Sequence, residues 1–158
     1  LAYSQAVLEH VNDLAKCVKE SHRIIKPNGY SIHAIGPLYY TYGGDHCISA
    51  FGAQHGFNHL IKDKEAYRSM VFDDEFFKNT DDPNQAWWAK HGIFSYARVS
   101  EYLNIFRKTF STVFVSATLS PEAILFKKRH PQDWSSLLSK QLSETDLMTK
   151  SLTFICKK

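Results

Sequence analysis

Val7-Leu8-Glu9-His10-Val11-Asn12-Asp13, followed by Arg23-Ile24-Ile25-Lys26-Pro27-Asn28-Gly29-Tyr30, is the stretch that decides the fold. It reads as a strand end, an amphipathic helix and a turn into a buried strand. Val11, Leu14, Ala15, Val18 and His22 recur at helical spacing, with Asn12 or Asp13 placed to cap the helix. Lys26-Pro27-Asn28-Gly29 stops it, because proline removes a backbone donor and Asn-Gly accepts positive φ. Tyr30 to Ile35 then reads as a buried strand of the kind found in parallel sheets, ended by Gly36-Pro37. Leu1 to Ser4 reads as the tail of an earlier strand. Together these residues form one αβ unit of a doubly wound sheet.

Outward from this unit the pattern changes. Residues 37–98 are rich in Tyr, Trp, Phe and His, with Gly43-Gly44, Gly52 and Gly56 among them. Asp63 can cap a short helix through Ala66, Tyr67 and Met70, and Asp81-Asp82-Pro83-Asn84 reads as a turn. A connection this long is far beyond the usual ~2–6 residues, so it is an insertion covering a site or a small subdomain. Regular pattern resumes with Ser100 as a helix cap and Val99, Tyr102, Leu103, Phe106 and Phe110 on one helical face. Val113 to Ala117 is a strand candidate, and Ser120-Pro121-Glu122 starts another helix. A further helix carries Trp134, Leu137 and Leu138; Ser143 can cap a short turn, and Ser151 to Cys156 is a final strand.

The 158 residues suit one domain, and the 44% hydrophobic content supplies a core that a disordered chain lacks. A formal charge of +3 is too mild to argue for nucleic acid, and no Lys/Arg run exceeds Lys127-Lys128-Arg129. No apolar run approaches the ~18 residues of a membrane span, and no secretory signal is visible. Cys17, Cys47 and Cys156 are odd in number and form no CxxC, which argues against a disulfide framework or zinc ribbon and for a reducing cytoplasm. Position 1 is Leu rather than Met, and Leu1-Ala2-Tyr3-Ser4 reads as the inside of a strand; the expectation is a cut or incompletely reported N-terminus.

Leu1 to Tyr30 resembles the region of class I S-adenosylmethionine-dependent methyltransferases that runs from the fourth strand to the fifth. Members read roughly V-L-E-H-V-x-D and then R-x-L-K-P-G-G there; this chain has Val7-Leu8-Glu9-His10-Val11 and Arg23-Ile24-Ile25-Lys26-Pro27-Asn28-Gly29, with Asn28 in place of the commoner first glycine. The helix near 100–110, the strand near 113–117 and the closing Ser151-Leu152-Thr153-Phe154-Ile155-Cys156 look like the family's fifth helix, sixth strand and antiparallel last strand. The resemblance thus implies a Rossmann-like α/β sheet, C-terminal half only. Residues 1–36 and 99–158 would be its core, and 37–98 an aromatic insertion or substrate lid. The family's glycine-rich loop after strand 1 and the acidic residue ending strand 2 are not in these residues, and Gly43-Gly44 lacks the strand–GxGxG–helix setting. An upstream half of the same domain is therefore expected.

The resemblance also implies site residues. Ligands of open α/β sheets sit at the carboxyl ends of strands where strand order reverses, and the family's fourth strand lies there. Ser4, Gln5, Ala6 and Val7 would then line the S-adenosylmethionine crevice, with Glu9 at the opening of the next helix; the plainer alternative is an ordinary strand-to-helix turn. A neutral His10 could accept a proton from a substrate hydroxyl or amine; the plainer alternative is that it only bonds loop backbone. Tyr39, Tyr40 and Tyr42 could reach the methyl acceptor with π faces and hydroxyls. His46, near Gly43-Gly44-Asp45, is the best-placed base of the inserted region. Trp87-Trp88 with Phe94 and Tyr96 could close a lid over an apolar substrate, or only glue the insertion to the core. His46-Cys47 with His55 and His59 offers zinc-compatible ligand types, but Gly56 interrupts the His pair and no Glu follows His55, so no metal is expected.

The leading expectation is an enzyme that transfers a methyl group from S-adenosylmethionine to a small-molecule acceptor, with no nucleic-acid or membrane partner. Its alternative is a non-catalytic methyltransferase-like module that binds a protein through its sheet edge, which unpaired strands make possible. A zinc protein is a third option and rests only on the histidines.

Overall fold

The computed structural model describes residues 1–47, 56–73 and 87–158; Gly52, His55 and the Asp81–Asn84 turn fall outside them. The described chain forms one four-stranded mixed sheet and eight helices: β1 (Ala2–Gln5), α1 (Leu14–Ile24), β2 (Tyr30–Ile35), α2 (Asn58–Ile61), α3 (Lys64–Val71), α4 (Trp87–His91), α5 (Val99–Thr109), β3 (Thr112–Leu119), α6 (Pro121–Arg129), α7 (Pro131–Ser139), α8 (Glu144–Met148) and β4 (Thr149–Lys157). No helix among the described residues is long and apolar enough to cross a membrane.

Two compact units emerge, each assembled from separated segments. The first joins Leu1–Tyr39, Phe94–Leu119 and Thr149–Lys158, and the second joins Tyr40–Ile93 and Ser120–Met148.

The first unit holds the sheet, in the order β1-β2-β4-β3. β1 and β2 run parallel, with Ala2 opposite Ser31 and Gln5 opposite Ala34. β4 is antiparallel to both β2 and β3, as expected for the last strand. The α1 crossover that joins two parallel strands starts where the chain can cap it: Asp13 Oδ1 accepts from Lys16 N–H at 2.8 Å. At its other end Lys158 Nζ donates to the carbonyls of His22 (2.8 Å) and Ile25 (2.9 Å), satisfying acceptors a helix terminus leaves open. α1 and α5 cover one sheet face. Val18, Ile35, Phe106, Leu152, Phe154 and Cys156 are buried there, and the Phe106 and Phe154 rings stack at 3.9 Å.

Two expectations about helix starts change. Ser100 lies inside α5, whose cap is Arg98. Arg98 has no acceptor to offer; instead Glu101 reaches back and accepts from the Arg98 backbone N–H at 2.7 Å, half of a capping box. Glu9 and His10 do not open α1. They belong to a separate 3-10 turn, Leu8–His10, after which the backbone extends at Val11 before Asp13 caps the helix.

The turn after β2 requires glycine. Gly36 has φ +145°, and a Cβ there would come within 2.7 Å of Ser151 Cβ and 2.9 Å of the Lys150 carbonyl. That carbonyl also accepts from Leu38 N–H, which binds the turn to the start of β4.

The second unit is helical. Tyr42, Phe57, Phe126, Trp134, Leu137 and Leu147 form its core, and Thr41 Oγ1 donates to the buried Leu147 carbonyl. Its helices carry the side-chain caps the sequence suggests: Asp63 accepts from Ala66 N–H, Ser120 from Ala123 N–H, and Ser143 and Asp146 cap each other.

Candidate functional site

Parallel pairing sets the site's geometry, because it brings the carboxyl ends of β1 and β2 side by side. Ala6 leaves β1 with φ +52° while its N–H still donates to the Ala34 carbonyl at 3.0 Å. The 3-10 turn Leu8–His10 follows β1, and Gly36, which follows β2, brings its backbone N–H near the Glu9 carboxyl.

The sequence-named cofactor residues separate here. Ser4 lies within β1, and its hydroxyl shares a 2.7 Å hydrogen bond with His33 Nδ1 on β2. His33 Nε2 meets the Ser21 hydroxyl of α1 at 3.2 Å, so the ring ties β1, β2 and α1 together. Burial lowers the His33 pKa, favouring the neutral imidazole. Gln5 is exposed and accepts from the Tyr3 hydroxyl. Ala6 is exposed at the strand end.

Glu9 differs from these three. It is 1% exposed, and neither carboxylate oxygen has a hydrogen-bond partner among the described residues. Burial pushes its pKa up; the backbone N–H groups of Glu9 and Gly36 and the neighbouring His10 offset this only in part, and none meets full hydrogen-bond geometry. A buried carboxyl left this way needs a physical reason, and such groups concentrate at functional sites.

Its backbone is held firmly. Ser95 N–H donates to the Glu9 carbonyl at 2.7 Å, and the Ser95 hydroxyl pairs with the buried Tyr102 hydroxyl. Tyr102 also reaches the Leu8 carbonyl at 3.4 Å, and burial raises its pKa to about 12. Ser95 and Tyr102 are therefore positioning residues for the turn. Tyr102 was legible only as part of an apolar helix face, and nothing in its spacing signals a hydroxyl aimed at residue 8.

Segment 94–96 brings an aromatic wall with it. Phe94 lies 5.5 Å from the His10 ring and 5.0 Å from Tyr39, and Tyr96 packs edge-on against Tyr39 at 4.5 Å. The expected aromatic cluster is thus divided. Phe94 and Tyr96 join Tyr39 and His10 in the first unit, whereas Trp87 and Trp88 stay in the second, T-shaped at 4.9 Å, with Trp87 stacked on His91.

The remaining named residues also fall in the second unit. Tyr40 packs against its core, and Tyr42 is buried in it; the Tyr42 ring leaves Gly56 no room for a Cβ. His46 has φ +65° and its ring lies 6.3 Å from Trp88. Asp45 is buried, accepting from the Tyr67 hydroxyl at 2.7 Å and from Cys47 N–H at 3.2 Å, with His59 Nδ1 at 3.8 Å. Burial, then the Asp45 charge, pushes the Cys47 thiol far up, which leaves it inert. Among the described residues no three His, Cys, Asp or Glu side chains group as metal ligands, and His55 lies outside them.

No curated protein matches the sequence. Two solved structures of phosphoethanolamine N-methyltransferase 2 from Haemonchus contortus align with 99% of this chain at 15% identity and a TM-score of 0.45. One is a complex with phosphomonomethylethanolamine and S-adenosylhomocysteine, the other with S-adenosyl-L-methionine. The alignment takes in 32% of those chains, so this chain spans about a third of their length. Residues 1–33, which are the β1–α1–β2 unit almost to its end, match the methyltransferase domain family model.

Proposed function

We propose that this chain supplies the strand 4 to strand 7 half of an S-adenosylmethionine-dependent methyltransferase acting on a small-molecule acceptor. The observation that carries the reading is the family match over residues 1–33, which falls on the unit whose parallel strands end at the candidate site. The sheet order β1-β2-β4-β3, with the closing strand β4 antiparallel as the resemblance implies, supports it.

An upstream half belongs to the same proposal. β1 is an edge strand of the sheet and pairs only with β2 among the described strands. The sheet face away from α1 and α5 leaves Tyr3 61%, Phe114 67% and Ile155 43% exposed. A parallel strand added beside β1, with helices on that face, would satisfy both features. The glycine-rich loop and the ribose-binding acid would come from that half.

The residues present fit the cofactor's rim. Gln5 and Ala6 are exposed at the strand end, and Glu9 is a buried acceptor without a hydrogen-bond partner among the described residues. Ser4 supports the rim through His33. S-adenosylmethionine supplies an already activated methyl group, so the protein's work is positioning and exclusion of water. His10 would take a proton from the acceptor, and Tyr39, Phe94 and Tyr96 would wall the acceptor side. Residues 37–98 are proposed as the substrate-side insertion, with His46 and Trp88 the pair in it to test.

Calorimetry with S-adenosylhomocysteine on the protein carrying the upstream half tests this reading. Saturable heat at one site per chain is the expected result. No heat at saturating ligand overturns it and favours a module that only binds protein.

A further inference from the structure

We propose that β3 is the surface through which two copies of this chain associate, joining their four-stranded sheets into one continuous sheet across a two-fold axis. The association requires no methyl transfer and stands apart from that reading. The sheet has two edges. β1 is the edge given to the upstream half; β3 (Thr112–Leu119) is the other, and among the described strands it pairs only with β4. Edge strands are normally kept from pairing with another chain by shortness, charge, proline or a bulge. β3 is eight residues long, Thr-Val-Phe-Val-Ser-Ala-Thr-Leu, with no charged residue and no proline. Its pairing with β4 is regular from Thr112 to Thr118, and the register shift comes only at the last step, Thr118/Leu119. Every residue but Val113 is exposed, with Phe114 at 67%, Leu119 at 52% and Val115 at 39%.

The strand's own residues match a second copy. Two-fold dimers are the commonest protein oligomers, and their interface must be self-complementary. Antiparallel strands related by a two-fold axis require that axis to stand perpendicular to the sheet, so the same face points the same way in both copies. Residues of one face therefore meet residues of that same face. Val113, Val115 and Ala117 stand opposite the buried Cys156, Phe154 and Leu152 and so share their face, which alternation extends to Leu119. Centring the pair on Ser116 sets Val115 against Ala117 and Val113 against Leu119 of the second copy, so each apolar residue of that face meets another. On the opposite face Phe114 meets Thr118, and Ser116 meets its own counterpart. Centring it on Val115 instead would set Leu119 against Ser111. A strand without charge selects neither an acidic nor a basic peptide, which leaves shape and backbone pairing as the basis of the match.

Sedimentation equilibrium of the chain tests this. Twice the chain mass is expected. S116K and S116E should each fall to a single chain mass, because each sets like charges directly opposite one another on the axis. Mixed in equal amounts, the two variants should recover the double mass, which damage to the strand would not allow. Y3K puts a charge on the β1 edge and on the other exposed apolar side chains' face, and it should keep the double mass. Circular dichroism checks that each variant is folded. Amide hydrogen exchange on the unsubstituted chain needs no variant: residues 112–119 should exchange severalfold more slowly as protein concentration rises through the transition. A single chain mass for the unsubstituted chain, a double mass for S116K, a mixture that stays single, a Y3K that dissociates, or β3 exchange independent of concentration overturns the proposal.

Discussion

The two faces of the sheet are built from the same strands yet have opposite fates. Ser31, His33 and Ile35 alternate on β2 with Tyr30, Ile32 and Ala34, and the first set is buried while the second is half-buried or exposed. Leu152, Phe154 and Cys156 on β4 follow the same rule against the exposed Ile155. One face has α1 and α5 over it. The other carries large apolar side chains, Tyr3, Phe114 and Ile155, that a solvated face does not need. Strand alternation therefore puts apolar side chains on both faces, of which the described residues bury one.

The largest effect that would break the comparison is on the covered face. Phe106 is fully buried and stacks on Phe154. Phe106→Ala should cost about 3–5 kcal/mol, the usual range for a large core aromatic, read from the urea midpoint. A loss below about 1 kcal/mol would mean that the layer is not packed as described.

Gly36→Ala comes next. At φ +145° an alanine is strained, and its Cβ would meet Ser151 and the Lys150 carbonyl. The cost should be on the order of 1–3 kcal/mol, again by urea unfolding, with the loss felt at the β2–β4 junction.

His33 gives a smaller, pH-dependent effect on the same face. Burial lowers its pKa in the folded protein, so the unfolded chain binds the proton more readily. The stability this group contributes is fully present above the unfolded pKa of about 6.5 and is lost as pH falls through that value toward the folded one. Urea midpoints between about pH 7.5 and pH 5 should decline, and His33→Gln should flatten the decline.

Much of the covered layer was legible in the sequence. The period change after Asn12, the Lys26–Gly29 stop and the strand over Tyr30–Ile35 are local signals, and the structure returns that strand with the same ends. Asp13, Asp63 and Ser120 likewise cap the helices their spacing suggests. The misreadings have a common cause. Ser100 looked like a cap by residue type, but a glutamate three residues past Arg98 did that work from its side chain. The aromatic residues look continuous along the chain, and the structure shows Phe94 and Tyr96 packed with Tyr39 in the first unit and Trp87 stacked on His91 in the second, groupings that sequence adjacency does not report. For the site, Glu9 and His10 were visible from the motif. Glu9's burial and its link through Ser95 to Tyr102 depend on a segment some 85 residues away, which no local pattern reports.

The smallest effect is the sharpest test of the uncovered face. Phe114 is 67% exposed on β3, and Ile155 is 43% exposed beside it, its cross-strand partner in the β3–β4 register. An exposed side chain loses little on truncation, so Phe114→Ser with Ile155→Thr should change the stability of this chain by no more than about 0.5 kcal/mol. If a second layer of the same protein covers this face, the same pair of substitutions becomes a core lesion there and should cost several-fold more when the upstream half is present. Equal and small effects in both forms would mean that the face stays open to solvent and that its apolar residues serve no missing layer. A large loss in this chain alone would mean that the two faces differ less than their exposure indicates.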